Sequence, residues 1–417
     1  MSEIWMRGNG PLEGEVKVQG SKNAALPMMA ATVLHEGRTV LHNCPRIADV
    51  FEMEAILRSI GVKTAWSGHT LELDCNKICE TGIPGEETRT MRSSILLLGS
   101  MLGRCKRIRI GYPGGCTIGA RPVDLHLDAM KKMGVLIREI EGEICGECPE
   151  GLSGAHIHFP ISSVGATENV ILAAVLAEGV TLLRNAAKEP EIIALCEFLN
   201  GAGAKISGIG TDILEIIGVS GLREGYYVVP SDRIVAGTYL FACAGCGGKI
   251  ELCNVDIEHM HAVCESLSRM GAVLEYDEKN IRMEMKERPK TLPYVQTAVY
   301  PGFPTDLQSP LMTVLAVAEG TSVIEEAIFE NRFRIVKELQ AMGADIQTVG
   351  QYAKICGREC LYGRNVVAEE LRGGAALVLA GLVAQGVTTV GNRTFIDRGY
   401  EDICQDLKNL GAKINVR

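Results

Sequence analysis

The chain has 417 residues, 47% hydrophobic and only 5% aromatic, with a formal net charge of −9. That length exceeds one ordinary domain and supplies core material for two or three. The acid excess argues against a nucleic-acid-binding surface. The apolar runs are broken before bilayer length and MSEIWMRGNG lacks an apolar signal core, so neither membrane insertion nor secretion is expected.

In chain order, a strand is expected near residues 3–20, then an apolar helix in NAALPMMAATVL, then a recurring pattern. One phrase, a helix followed by Gly and an apolar strand, appears six times: LRSIGVKT, KKMGVLI, NGAGAKI, SRMGAVL, QAMGADI and KNLGAKI. Its glycines are Gly61, Gly134, Gly203, Gly271, Gly343 and Gly411, at spacings of 73, 69, 68, 72 and 68. A second phrase alternates with it: LHEGRTVL, MLGRCKRIRI, LAEGVTLL, CGGKIEL, VAEGTSVI and VAQGVTTV. Glycine is expected to end each helix. Two phrases on one period imply six copies of a unit with two helices and several strands.

The two helix sets differ. DVFEMEAILRSIG, DLHLDAMKKMG, EIIALCEFLNG, RFRIVKELQAMG and YEDICQDLKNLG place apolar residues at three- and four-residue steps, so each packs one face and wets the other. NAALPMMAATVL, SSILLLGSML, TENVILAAVLA, IVAGTYLFACAG, PLMTVLAVA and AALVLAGLVA are apolar nearly all round and belong inside. Six copies would overfill one core, so three plus three is expected. The expected domains are residues 21–229 and residues 1–20 with 230–417, the first strand completing the last copy.

The buried helices begin with polar residues: Ser21-Lys22-Asn23, Arg89 and Arg92, Ser163-Val164-Gly165, Ser231-Asp232-Arg233, Thr305-Asp306 and Glu370-Leu371-Arg372. The amphipathic set adds Arg46, Arg121, Glu189, Glu191, Arg332 and Arg398. A single Lys or Arg taken alone reads as a solvated surface charge. Recurrence at one place in the repeat reads differently: helix N-termini and cations gathered at a cleft between the domains would bind an anion, most simply phosphate. Asp306, between two prolines in PGFPTDLQSP, is either a helix cap or a base held among cations.

The stretch GYPGGCTIGARP, residues 111–122, sets Cys116 among glycines, with a helix expected to start at Arg121-Pro122. A cation and a helix N-terminus near a thiol favour its thiolate. The other cysteines, among fifteen in all, read as reduced cytosolic thiols. The CxxC pairs Cys145/Cys148 and Cys243/Cys246, and the pairs His156/His158 and His259/His261, read as structural, and no metal site is expected.

The stretches GSKNAALPMMAA, TMRSSILLLGS, PGGCTIGARPVDLH, SVGAT, FPTDLQSP, IFENRF and FIDRGYE resemble, end to end, the enolpyruvyl transferase family, in its branch acting on UDP-N-acetylglucosamine. The resemblance implies two inverse α/β-barrel-like domains, each of three βαβαββ-type repeats around buried helices, with the site in the cleft between them. It implies enolpyruvyl transfer from phosphoenolpyruvate to the 3-hydroxyl of UDP-N-acetylglucosamine, releasing phosphate, in cytoplasmic peptidoglycan synthesis and without a cofactor. Carried over residue by residue, phosphoenolpyruvate meets Lys22, Asn23, Arg121, Arg372 and Arg398. The nucleotide sugar meets Asn23, Arg92, Arg121, Pro122, Val123, Asp124, Leu125, Ser163, Val164, Gly165, Asp306, Ile328 and Arg332. By the same resemblance Lys22 is catalytic, Asp306 is the base on the sugar hydroxyl, and Cys116 is the proton donor to the vinyl carbon or a group easing product release, and the target of fosfomycin. Two departures are visible: Glu370 where the family usually has Asp, and Ile161 where some members have Lys. The rival readings are the shikimate 3-phosphate branch, which lacks the cysteine loop, and a non-catalytic repeat scaffold.

Overall fold

The computed structural model describes residues 3–8, 10–83, 85–89, 91–114, 119 and 122–417. The chain folds as two compact units. One comprises Gly20–Cys116 and Arg121–Pro230; the other comprises Met1–Gln19, Thr117–Ala120 and Ser231–Arg417.

Six four-stranded sheets share one plan: a first strand parallel to a second, then a third and fourth that continue antiparallel. In the copy at residues 156–217, His156–His158 runs beside Val180–Arg184, which pairs antiparallel with Ile213–Ile217, which pairs with Lys205–Ser207. A right-handed chain joins parallel strands only through a crossover, and here the Val164–Ala174 helix supplies it. The amphipathic Pro190–Gly201 helix follows, so the copy reads βαβαββ.

The sheets also borrow strands from far along the chain. Gly225–Val228 is the first strand of the sheet holding Arg38–His42. Leu12–Lys17 is the first strand of the sheet holding Gly248–Cys253. Ile4–Arg7 lies between Val387–Gly391 and Lys413–Val416 and so completes the last copy.

The helices expected to be buried are buried. In Leu371–Val383, every residue from Leu371 to Leu382 is inaccessible. Helices Arg233–Cys246, Gln308–Leu315 and Leu371–Val383 pack mutually in one unit. In the other, Gly99 approaches the helix of Asn169 so closely that a Cβ would stand 2.4 Å from the Asn169 carbonyl oxygen. Leu26, Met29, Leu98, Met101 and Ile171 fill that core, each worth about 1.5–3 kcal/mol on burial.

All six first-phrase glycines take left-handed φ, from +84° to +107°. One second-phrase copy departs. In MLGRCKRIRI, Gly103 lies inside the Leu97–Cys105 helix, and Lys106 takes the left-handed position, at φ +59°. Gly103 faces Leu34 Cδ2 at 3.2 Å from an added Cβ, so packing selects that glycine and not capping. The helix expected from Arg121-Pro122 begins instead at Asp124, because Val123 (φ −101°, ψ 8°) is not helical.

Candidate functional site

The sites are described unit by unit. In the Gly20–Pro230 unit, Ser21 caps the Lys22–Ala31 helix by accepting from the Ala24 N–H at 3.3 Å. Lys22 and Asn23 therefore open that helix, where the dipole favours an anion. Lys22 Nζ is 3.0 Å from Asp49 Oδ2, and Asp49 is buried at the start of the Ala48–Ser59 helix. Arg92 opens a short 3-10 turn and donates to the Pro122 carbonyl at 3.3 Å. Pro122 and Asp124 are exposed, Val123 is buried and Leu125 is half-buried.

Ser163 caps the Val164–Ala174 helix through the Ala166 N–H at 3.4 Å, leaving Val164 and Gly165 at its mouth. A Cβ on Gly165 would meet His126 Cε1 at 3.3 Å. The buried Asn169 fixes His126. Its Oδ1 accepts from the Gly99 N–H at 2.8 Å, so its Nδ2 donates to the Ile95 carbonyl and to His126 Nδ1 at 2.7 Å. Glu168 on the same helix is fully buried, and burial pushes its carboxyl well above the usual range, with Glu191 and Glu189 adding to the shift. Cys116 and Arg121 lie outside the described residues.

In the Ser231–Arg417 unit, Asp306 sits in the short turn Thr305–Leu307. Its side chain reaches two guanidinium groups: Arg332 Nη2 at 2.7 Å from Oδ1, and Arg372 Nη2 and Nε at 3.2 and 3.3 Å from Oδ2. Both arginines are buried, at 4% and 2% exposure. Desolvation would lower the pKa of Arg372, but Asp306, Tyr400 and Asp232 outweigh it and raise it. Arg372 Nη1 and Arg332 Nε are buried and make no hydrogen bond among the described residues. Buried N–H groups of a cation with no acceptor are costly, and an anionic oxygen would satisfy them.

Glu370 absorbs its departure from the family pattern by capping the Leu371–Val383 helix, accepting from the Arg372 N–H at 2.8 Å and from the Gly373 N–H. It also stands 3.9 Å from Arg332 Nη1. Arg398 ends the turn Arg393–Arg398 and is half-buried. Ile328 is at the edge of exposure, and its loop is tied by a residue that motif reading missed. The buried Glu326 accepts from the Ile328 and Phe329 N–H groups at 3.0 and 3.1 Å and from the Thr305 hydroxyl at 2.9 Å. Ile161 is exposed.

The CxxC thiols behave as packing residues. Cys243 and Cys246 lie on one buried helix, and burial pushes both up to about 12. Among the described residues, no group of three or more His, Cys, Asp or Glu is placed to hold a metal, and no helix is long and apolar enough to cross a membrane.

The sequence profile of the family described as EPSP synthase (3-phosphoshikimate 1-carboxyvinyltransferase) matches residues 6–407. UDP-N-acetylglucosamine 1-carboxyvinyltransferase 2 of Caldanaerobacter subterraneus subsp. tengcongensis is 47% identical over 415 residues, covering 99% of each chain. UDP-N-acetylglucosamine 1-carboxyvinyltransferase of Paracoccus denitrificans is 44% identical over 417 residues, covering 99% of this chain and 98% of its own. In fold, the chain is similar to the enolpyruvyl transferase NikO from Streptomyces tendae, with TM-score 0.87, 23% identity, and 100% and 98% coverage. It is also similar to EPSP synthase from Acinetobacter baumannii, with TM-score 0.77, 19% identity and full coverage of both chains. With relatives this similar along their whole length, the chain belongs to the UDP-N-acetylglucosamine 1-carboxyvinyltransferases of the enolpyruvyl transferase family.

Proposed function

We propose that the chain transfers the enolpyruvyl group of phosphoenolpyruvate to the 3-hydroxyl of UDP-N-acetylglucosamine and releases phosphate, as a cytoplasmic step of peptidoglycan synthesis. The observation that carries this reading is the pair of buried guanidinium groups around Asp306, each with an N–H awaiting an acceptor. Buried cations of this kind suit multiply charged anions: phosphoenolpyruvate, assigned to Arg372, has a phosphate and a carboxylate, and the nucleotide sugar, assigned to Arg332, has a diphosphate.

In the proposed mechanism, Asp306 takes the proton of the sugar hydroxyl, and the oxygen attacks C2 of phosphoenolpyruvate. Cys116 delivers a proton to C3, giving a tetrahedral adduct. A C3 proton then returns to the Cys116 thiolate as phosphate departs and the double bond re-forms, and the proton held by Asp306 passes to the departing phosphate, so atoms and charge balance. Both Asp306 oxygens are engaged by arginine, so Asp306 becomes available when an incoming anion draws Arg372 away from Oδ2. Lys22, Asn23, Arg121, Arg372 and Arg398 are assigned to phosphoenolpyruvate. Arg92, Pro122 to Leu125, Ser163 to Gly165, Ile328 and Arg332 are assigned to the nucleotide sugar. Charge stabilisation and positioning provide the acceleration. Fosfomycin is proposed to alkylate Cys116.

The test is phosphate release from phosphoenolpyruvate with UDP-N-acetylglucosamine or shikimate 3-phosphate as acceptor. Release only with the sugar nucleotide is expected. Release only with the shikimate compound would overturn the acceptor while leaving the donor chemistry in place.

A further inference from the structure

The mechanism leaves a buried aromatic hydroxyl beside Arg372 without a role. Tyr400 is 1% exposed, and the Arg372 guanidinium carbon lies 5.8 Å from its ring centroid. The two groups also interact electrostatically, the Arg372 charge opposing the upward shift that burial gives the Tyr400 hydroxyl. That hydroxyl stands 2.8 Å from Thr238 Oγ1, inside the Arg233–Cys246 helix.

The direction of each bond follows from donor counting. The Thr238 hydroxyl hydrogen is committed to the Ile234 carbonyl at 2.8 Å. Thr238 must therefore accept from Tyr400, whose own hydrogen is then used, so that its oxygen can only accept from any further neighbour. A guanidinium is donor-only, so a Tyr400 oxygen fixed in this way is compatible with the cation beside it. The Tyr400 backbone is held on both sides by one carboxamide: Gln19 Nε2 donates to the Gly399 carbonyl at 3.2 Å, and Gln19 Oε1 accepts from the Glu401 N–H at 2.9 Å.

We propose that Tyr400, oriented by Thr238, is a positioning residue that fixes the Arg372 guanidinium so that its free N–H presents to the phosphoenolpyruvate anion. The relay runs from the Ile234 carbonyl through Thr238 to Tyr400, over whose ring the Arg372 guanidinium lies. Asp306 holds the Nε and Nη2 of the same guanidinium, so Tyr400 keeps the arginine in place when substrate takes it from Asp306. The inference rests on the reading of Arg372 as a phosphoenolpyruvate ligand.

The experiment compares Tyr400→Phe, Thr238→Val, Thr238→Ser and Arg372→Lys in full-length enzyme, with KM for each substrate, kcat and thermal unfolding. Tyr400→Phe and Thr238→Val are expected to lower kcat/KM for phosphoenolpyruvate about tenfold or more while KM for the nucleotide sugar stays within about twofold. Thr238→Ser keeps the hydroxyl and is expected to retain wild-type values. In the Arg372→Lys background, Tyr400→Phe is expected to add nothing, because residues acting through one group are non-additive. If Arg372→Lys lowers phosphoenolpyruvate use and Tyr400→Phe folds but leaves it intact, the positioning role is wrong. Arg372→Lys without effect on phosphoenolpyruvate overturns the ligand assignment instead. If Tyr400→Phe does not fold, Thr238→Val against Thr238→Ser decides the matter, and equal phosphoenolpyruvate kinetics in those two overturn the relay.

Discussion

Asp306 and Arg332 form a 2.7 Å ion pair in which the cation is the buried partner: the Arg332 side chain is 2% exposed and that of Asp306 28%. The carboxylate thus has two duties, compensating buried positive charge and, in the proposed mechanism, accepting a proton. Asp306→Asn and Asp306→Ala remove both duties to different extents. The amide keeps the shape and one acceptor but not the charge, so kcat should fall roughly 10²–10⁴-fold with a smaller loss of stability than in the alanine variant. The alanine variant should lose activity and also about 3 kcal/mol, since the charge of Arg332 would be left with Glu370 at 3.9 Å and a neutral partner, the Thr305 carbonyl, at 3.3 Å. Wild-type phosphate release by Asp306→Asn would remove Asp306 from the chemistry.

Glu326 ties the Ile328 loop to the Asp306 turn through three accepted hydrogen bonds. Glu326→Ala should leave two N–H groups and a hydroxyl unmet in a buried place, costing roughly 2–4 kcal/mol. KM for UDP-N-acetylglucosamine should rise more than KM for phosphoenolpyruvate. A variant with unchanged sugar-nucleotide KM would mean that the loop does not set acceptor binding.

Asp406 carries a stability dependence of defined sign. Burial, only partly opposed by the hydrogen bond from Tyr239 at 2.5 Å and helped by Asp402 and Glu401, raises its carboxyl to about 6. The folded state therefore holds the proton more tightly than the unfolded one. The stabilisation is fully present below the ordinary aspartate range and is lost as pH rises towards and through about 6. From this group the change is at most roughly 3 kcal/mol. Denaturation midpoints of Asp406→Asn between pH 4 and 7 should drift less than those of the wild type. Parallel drifts would refute this assignment.

Cys116 can be tested without reference to its geometry. Intact-mass measurement should find one fosfomycin adduct on the wild-type chain and none on Cys116→Ser. Adduct on the serine variant would place the alkylation elsewhere among the fifteen cysteines.

The repeat was legible because a left-handed helix stop demands glycine, and Gly61, Gly134, Gly203, Gly271, Gly343 and Gly411 all carry positive φ. Gly103 misled for the converse reason: close helix packing also demands glycine, and Lys106 took the turn. The membership of Ile4–Arg7 in the last sheet was readable from the count of copies, whereas Gly225–Val228 pairing with Arg38–His42 spans too much sequence for any local pattern to report. Lys22, Asp306 and Arg372 were marked by their place at helix starts. Glu326, Thr238 and Tyr400 were not, because their importance is a matter of which atoms they meet.

The borrowed strands impose an order on synthesis. The unit containing Lys22 has all its sheet strands once Val228 has left the ribosome. The unit containing Asp306 cannot close until Lys413–Val416 arrives, although its strands Ile4–Arg7 and Leu12–Lys17 are made first. At ~5–20 residues per second, Ile4–Arg7 waits roughly 20–80 s for its partners, whereas Leu12–Lys17 meets Gly248–Cys253 earlier. Throughout that interval Ile4–Arg7 is an unpaired strand on a nascent chain, so extensions or charge changes near Ile4 should reduce the yield of folded enzyme before they alter its catalysis.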